Sequence, residues 1–136
     1  MSESAKRDNG FKNERVFTSW ALKRARERGW LSAHLSNMRV VRRPGGDVFA
    51  VPDKDADGFP DLVLVHEHFG LVFAELKMPG RKPDEAQLGW LRALRSAGAN
   101  VHVFYPRDVE SIVELLDTGM TPQLSFDLLQ REGATS

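Results

Sequence analysis

The chain has 136 residues, 41% hydrophobic and 28% charged, with no cysteine and a formal net charge of zero. That length fits one domain, and the composition excludes a disordered or fibrous chain. The lack of cysteine excludes disulfides and thiolate metal sites and fits a reducing, cytoplasmic setting.

The opening stretch, MSESAKRDNGFKNER, is polar and predicts no signal peptide, and no apolar run is long enough to predict a membrane span. Residues 1–11 read as a flexible lead. Charge is divided along the chain. Residues 1–46 carry eleven Lys/Arg against four Asp/Glu, and the remainder carries eight against fifteen. Such a split fits a polyanion held on one side, or solvated helix faces that neutralise each other.

Residues 12–28 predict a helix stopped by Gly29, with Phe17, Trp20, Ala21 and Ala25 at helical spacing. Glu14 stands three residues before Phe17 and extends that stripe. Arg24, Arg26 and Arg28 spread around the same helix. WLSAHLS, 30–36, alternates and predicts a first strand. Residues 37–58 are less regular: a basic NMRVVRR, a Pro-Gly-Gly turn, VFAV and an acidic DKDADG, with room for a short hairpin.

Strands are expected over 61–66 and 71–77, ended by Pro79-Gly80. Asp84 is the expected N-cap of a helix over 85–97 that Gly98 terminates. The stripe of that helix is Gln87, Trp90, Leu91, Leu94 and Ala97. NVHVFY, 100–105, is a strand, and residues 107–117 form an amphipathic helix through Val109, Ile112, Val113, Leu115 and Leu116. A helical turn is expected around SFDLLQ in a tail of 119–136. Strands 71–77 and 100–105 are joined by a helix and so are parallel. The fold class is α/β, a mixed sheet flanked by helices in the order α-β-β-β-α-β-α.

The hairpin PDLVLVHEHFGLVFAELK carries three charges on otherwise apolar strands. Glu75 and Lys77 share a face, because side chains alternate along a strand. Positions 61 and 75 are equidistant from His68. A turn centred there sets Asp61 opposite Glu75, at about 5 Å. Two carboxylates that close repel unless a cation or proton lies between them. A hard ion such as Mg²⁺ takes oxygen ligands and keeps several waters, which suits the pair. Lys77 then sits where it can hold or deprotonate an attacking water. The same spacing also suits a strand-end salt bridge between Lys77 and either acid. Gln87, a polar group on an apolar line, and Glu14 stand where they can join this group.

Other candidates are weaker. DKDADG imitates the start of an EF-hand loop, but its twelfth position is Leu64, Pro60 interrupts it, and no helix pair flanks it. His34 can approach the charged hairpin from its strand or be an ordinary strand residue. His66 and His68 read as surface residues near a turn. Trp20, Trp30 and Trp90 read as packing.

The residues Pro60-Asp61 and Glu75-Leu76-Lys77 resemble the PD-(D/E)XK nuclease superfamily. The longer stretch from Gly58 to Leu116 resembles its VRR-NUC branch: G-x-PD, an apolar strand, E-x-K, a Gln in the next helix, an Ala-Gly before a strand, and a final helix. Glu14, Phe17 and Gly29-Trp30 fit its opening. The likeness covers about residues 12–117, with the nuclease domain over 12–118 and a restriction-endonuclease-like core.

The resemblance implies a metal-dependent DNA endonuclease that leaves a 5′-phosphate and a 3′-hydroxyl. Asp61, Glu75 and the Leu76 carbonyl would bind Mg²⁺, with Mn²⁺ as a substitute. Glu14 would contribute directly or through a water, Lys77 would orient or activate the attacking water, and Gln87 would support the site. It also implies branched, Holliday-junction-like DNA as substrate, a homodimer, and a bacterial or bacteriophage setting. Compact members reach G-x-PD sooner after the first strand, so 37–57 reads as an insertion. Its Arg39, Arg42 and Arg43, with Lys12 and Arg15, are the expected phosphate contacts. A DNA-binding or assembly protein that kept the fold without catalysis is the alternative.

Overall fold

The structure, a computed structural model, describes residues 8–35, 38–52 and 54–120. Helix α1, Glu14–Glu27, starts at Asn13, whose side chain accepts the Val16 N–H and so satisfies a donor the helix cannot. Strand β1 is Leu31–His34. Strands β2, Met38–Arg42, and β3, Val48–Pro52, form a hairpin and a sheet of their own. A 3₁₀ turn at Lys54–Ala56 leads to β4, Leu62–His66, and β5, Gly70–Leu76. Helix α2 is Glu85–Ser96, strand β6 is Asn100–Phe104, and helix α3 is Val109–Thr118 after a 3₁₀ turn at Pro106–Asp108.

The main sheet runs β1-β4-β5-β6. β1–β4 and β4–β5 are antiparallel, and β5–β6 is parallel. This is the expected mixed α/β layer. The expected elements shift by a residue or two at their ends. Pairing starts at Leu62 rather than Asp61 and stops at Leu76 rather than Lys77, although Lys77 N–H still donates to the Phe104 carbonyl at 2.9 Å. The expected hairpin in 37–58 forms, but apart from the main sheet. Residues 1–7, Ser36 and the SFDLLQ turn lie outside the described residues.

Two apolar layers hold the sheet. On one face Phe17, Ala21, Leu22 and Ala25 of α1 meet Leu62, Leu64, Val72, Ala74, Leu76 and Phe104, and α3 adds Ile112, Leu115 and Leu116. On the other, Leu88 and Leu91 of α2 cover Val101, Val103 and Tyr105. Burial of each large side chain contributes roughly 1.5–3 kcal/mol. Leu88 is part of the α2 stripe, whereas Ala97, expected there, is exposed at its end. Trp30 is buried and donates its Nε1–H to the Leu116 carbonyl at 2.9 Å, which ties the start of β1 to α3. Ahead of α1, Phe11 packs on Phe17 with ring centroids 5.0 Å apart.

Because residues alternate along β5, Ala74 and Leu76 enter the α1 layer while Phe73, Glu75 and Lys77 point to the α2 side. Glu75 is thereby placed on an apolar face with α2 above it.

Candidate active site

Every β4–β5 pair fits the turn centred on His68: Leu62 with Ala74, Val63 with Phe73, Leu64 with Val72. One step further puts Asp61 against Glu75, and the Asp61 N–H donates to Glu75 Oε1 at 3.2 Å. Glu75 is 1% exposed. Its other oxygen, Oε2, accepts Gln87 Nε2–H at 2.8 Å and faces Lys77 Nζ at 3.5 Å.

Gln87 is locked in turn. Asp84 Oδ1 accepts the Gln87 backbone N–H at 2.8 Å, and Gln87 Oε1 accepts the Asp84 N–H at 2.9 Å, a capping box that starts α2. That leaves the Gln87 amide nitrogen for Glu75. The approach of α2 depends on Gly58: its φ is +84°, and a Cβ there would lie 2.7 Å from the Gln87 nitrogen. Gly58 was legible in sequence only as the Gly of G-x-PD, not as the residue that lets α2 close on the loop.

Burial pushes the Glu75 carboxyl up to about 8; the Asp61 carboxylate raises it further, against the pull of Lys77. Burial likewise raises Asp61, opposed by its hydrogen bond to Glu75, by Lys77 and by His34. Glu14 reaches the same place from α1, on the opposite layer, past the strand ends. Its side chain is exposed rather than part of the buried stripe. Partial burial still raises its pKa, Lys77 and Arg81 oppose that, and Asp61 adds to it. His34, opposite Leu62, acts on both acids.

The structure thus gathers Asp61, Glu75, Lys77 and Gln87 and sets Glu14 at the rim. Among the described residues no three His, Asp or Glu side chains converge as a metal cage. The donor set is two carboxylates and backbone oxygen, which fits Mg²⁺, an ion held through one or two carboxylates with water completing the shell. Lys77 N–H points to β6, and backbone groups alternate sides, so the Leu76 carbonyl turns the other way, toward β4 and Asp61. Glu75 is buried and Asp61 half-buried, so ionising both is costly unless a proton or a cation lies beside them.

A cleft of about 780 Å³ opens over this group, with Lys12, Glu14, Lys77, Arg81, Asp84 and Gln87 in its walls. Of the expected phosphate contacts, only Lys12 lines it. Arg15 is exposed on α1, and Arg42 and Arg43 are exposed on the β2–β3 hairpin, while the Arg39 side chain lies outside the described residues. Of Arg24, Arg26 and Arg28, the first and last both bind Asp117 of α3 at 2.8 Å, and Arg26 is exposed. His66 is half-buried against Trp30 and Phe69 rather than a free surface residue. In DKDADG, Asp53 lies outside the described residues, and the loop makes a 3₁₀ turn with no helix pair around it.

No family model matches the chain, and no curated protein matches it. A solved structure of a VRR_NUC domain is similar to it, with a TM-score of 0.54 and 24% sequence identity, over 77% of this chain and 95% of that one. The chain has the fold of a VRR_NUC domain.

Proposed function

We propose, from that fold and this site, that the chain is a metal-dependent endonuclease that hydrolyses phosphodiester bonds in DNA. The observation that carries the reading is the register-fixed Asp61–Glu75 pair, with Asp61 half-buried and Glu75 buried and held by Lys77 and Gln87. A salt bridge alone does not account for it: one lysine faces two carboxylates, and burial keeps both acids above their usual range.

Asp61, Glu75 and the Leu76 carbonyl would hold Mg²⁺ or Mn²⁺, with Glu14 at its outer side. Bound there, the ion supplies Lewis-acid polarisation of the phosphate and lowers the pKa of water. Lys77, 15% exposed, orients the attacking water and stabilises the charge that grows on the phosphate. Water oxygen bonds to phosphorus, the bond to the 3′ oxygen breaks, and that oxygen takes a proton, which leaves a 5′-phosphate and a 3′-hydroxyl. Gln87 fixes the Glu75 oxygen that faces Lys77. Branched DNA is the proposed substrate and a homodimer the proposed assembly.

The test is cleavage of labelled four-way junction, flap, single-stranded and duplex DNA with Mg²⁺, Mn²⁺, Ca²⁺ or EDTA, beside Asp61→Ala and Lys77→Ala. Metal-dependent cutting lost in both variants is the expected result. DNA binding in EDTA with no cutting of any substrate would favour a non-catalytic DNA-binding protein instead.

A further inference from the structure

Lys77 and Gln87, which hold Glu75, line one part of the cleft. The segment 78–86 leaves Lys77 and returns at Gln87, and both ends bind the same Glu75 oxygen. Between them the chain is fixed. Pro79-Gly80, with Gly80 at φ +83°, makes a turn closed by Arg81 N–H to the Met78 carbonyl at 3.1 Å. The Tyr105 hydroxyl donates to the Arg81 carbonyl at 2.8 Å, and Pro83 is buried. Arg81 is therefore presented into the cleft from a held backbone.

Across the cleft stands Lys12, just before the Asn13 cap of α1. Neither cation makes an ion pair among the described residues. Two of the cleft acids have hydrogen bonds of their own: Asp84 Oδ1 accepts Gln87 N–H and Asp8 Oδ1 accepts Gly10 N–H, while the charges of Lys77 and Arg81 act on Glu14. Lys12 and Arg81 share the lining with Lys77 and Lys82, so its four cations outnumber the acids Asp8, Glu14 and Asp84, which suits a phosphodiester. At about 780 Å³ the space is that of a pocket for a small ligand.

We propose that Lys12 and Arg81 clamp the phosphodiester next to the scissile one. The proposal rests on the nuclease reading for which phosphate is scissile. Its binding test does not.

The experiment is fluorescence anisotropy of a labelled single-stranded oligonucleotide and of its duplex, in EDTA and in Ca²⁺, across a salt series. Arg81→Gln, Lys12→Gln and their double variant are compared with Arg26→Gln, which removes an exposed cation from the far end of α1. Each clamp variant is expected to weaken single-strand binding about three- to tenfold and to flatten the salt slope by about 0.7. Arg26→Gln should change neither. Equal losses in Arg26→Gln and Arg81→Gln, or unchanged affinity in the clamp variants, would overturn the clamp. Cleavage that survives with any of those results would leave the nuclease reading standing. Clamp-dependent binding with no cleavage would do the reverse.

Discussion

Gln87 donates to Glu75 Oε2 at 2.8 Å while its own carbonyl oxygen accepts the Asp84 N–H at 2.9 Å. One side chain thus starts a helix and orients a buried acid. Gln87→Ala should lose both roles. The cap is worth about 1 kcal/mol and the bond to the acid about 1.5–3 kcal/mol if ionised. Metal affinity should fall roughly 10–100-fold, the usual cost of removing a group that orients a ligand. Urea melts and a Mn²⁺ titration would measure the two losses separately. Gln87→Glu should fold less well than Gln87→Ala at neutral pH without metal, because it adds a third carboxylate beside Glu75.

The pH dependence follows from the same acid. The folded value of Glu75, about 8, lies above its ordinary 4.5, so the native state favours the protonated form. Its contribution to stability is complete below pH 4.5 and is lost as pH rises through 8. Metal-free protein should therefore melt at a lower temperature at pH 8.5 than at pH 5.5. Mg²⁺ should recover most of the difference at pH 8.5 and little at pH 5.5, since it competes with the proton for the same oxygens. Glu75→Gln should flatten both trends. A melting profile that Mg²⁺ leaves unmoved at every pH would remove the metal site from the argument.

Gly58 and Gly80 both have positive φ, +84° and +83°, but only Gly58 touches another element. Alanine in that region costs about 1–2 kcal/mol at either position. At Gly58 the new methyl also strikes the Ala86–Gln87 backbone, whereas at Gly80 it meets nothing within 4 Å. Gly58→Ala should therefore destabilise more than Gly80→Ala and should lower cleavage toward the level of Gln87→Ala. Equal effects of the two substitutions in denaturant melts would mean that the loop moves aside freely.

These contrasts show what was readable in advance. The opposition of Asp61 and Glu75 follows from period-two alternation and a symmetric turn, so the spacing alone predicts it. Gln87 stands out as a polar residue on an apolar stripe. The second bond of Gln87, the contact at Gly58 and the placement of Arg81 come from how α2 docks on the loop before β4, and no local pattern encodes docking. Glu14 misleads for a related reason. Helical spacing places it on the stripe with Phe17, but it lies in the first turn of α1, at the rim of the cleft, and stays exposed. The pairing of Arg24 and Arg28 with Asp117 needs α1 beside α3, a contact over 89 positions or more.

His102 reads in sequence as one more position in an alternating strand. In the fold it is 1% exposed on β6, opposite Ala74, with its ring stacked on Phe104 at 5.1 Å. Neither ring nitrogen finds a partner among the described residues. Burial, aided by the charge of Arg95, lowers its pKa from 6.5 to about 4. The native state thus favours the neutral ring. The stability this implies is present above pH 6.5 and lost as pH falls toward 4, to a total of about 3 kcal/mol. The direction is opposite to that of Glu75, so the two can be separated by mutation. His102→Leu removes a polar group that is buried without a partner and keeps the volume close. Its gain over the parent protein should be larger at pH 5 than at pH 8. Cleavage at pH 8 should persist, because His102 faces the α1 layer and Glu75 the α2 side. Urea midpoints at pH 8, 6.5 and 5 would decide it. A constant difference between the two proteins across that range would mean that the ring has a hydrogen-bond partner in solution.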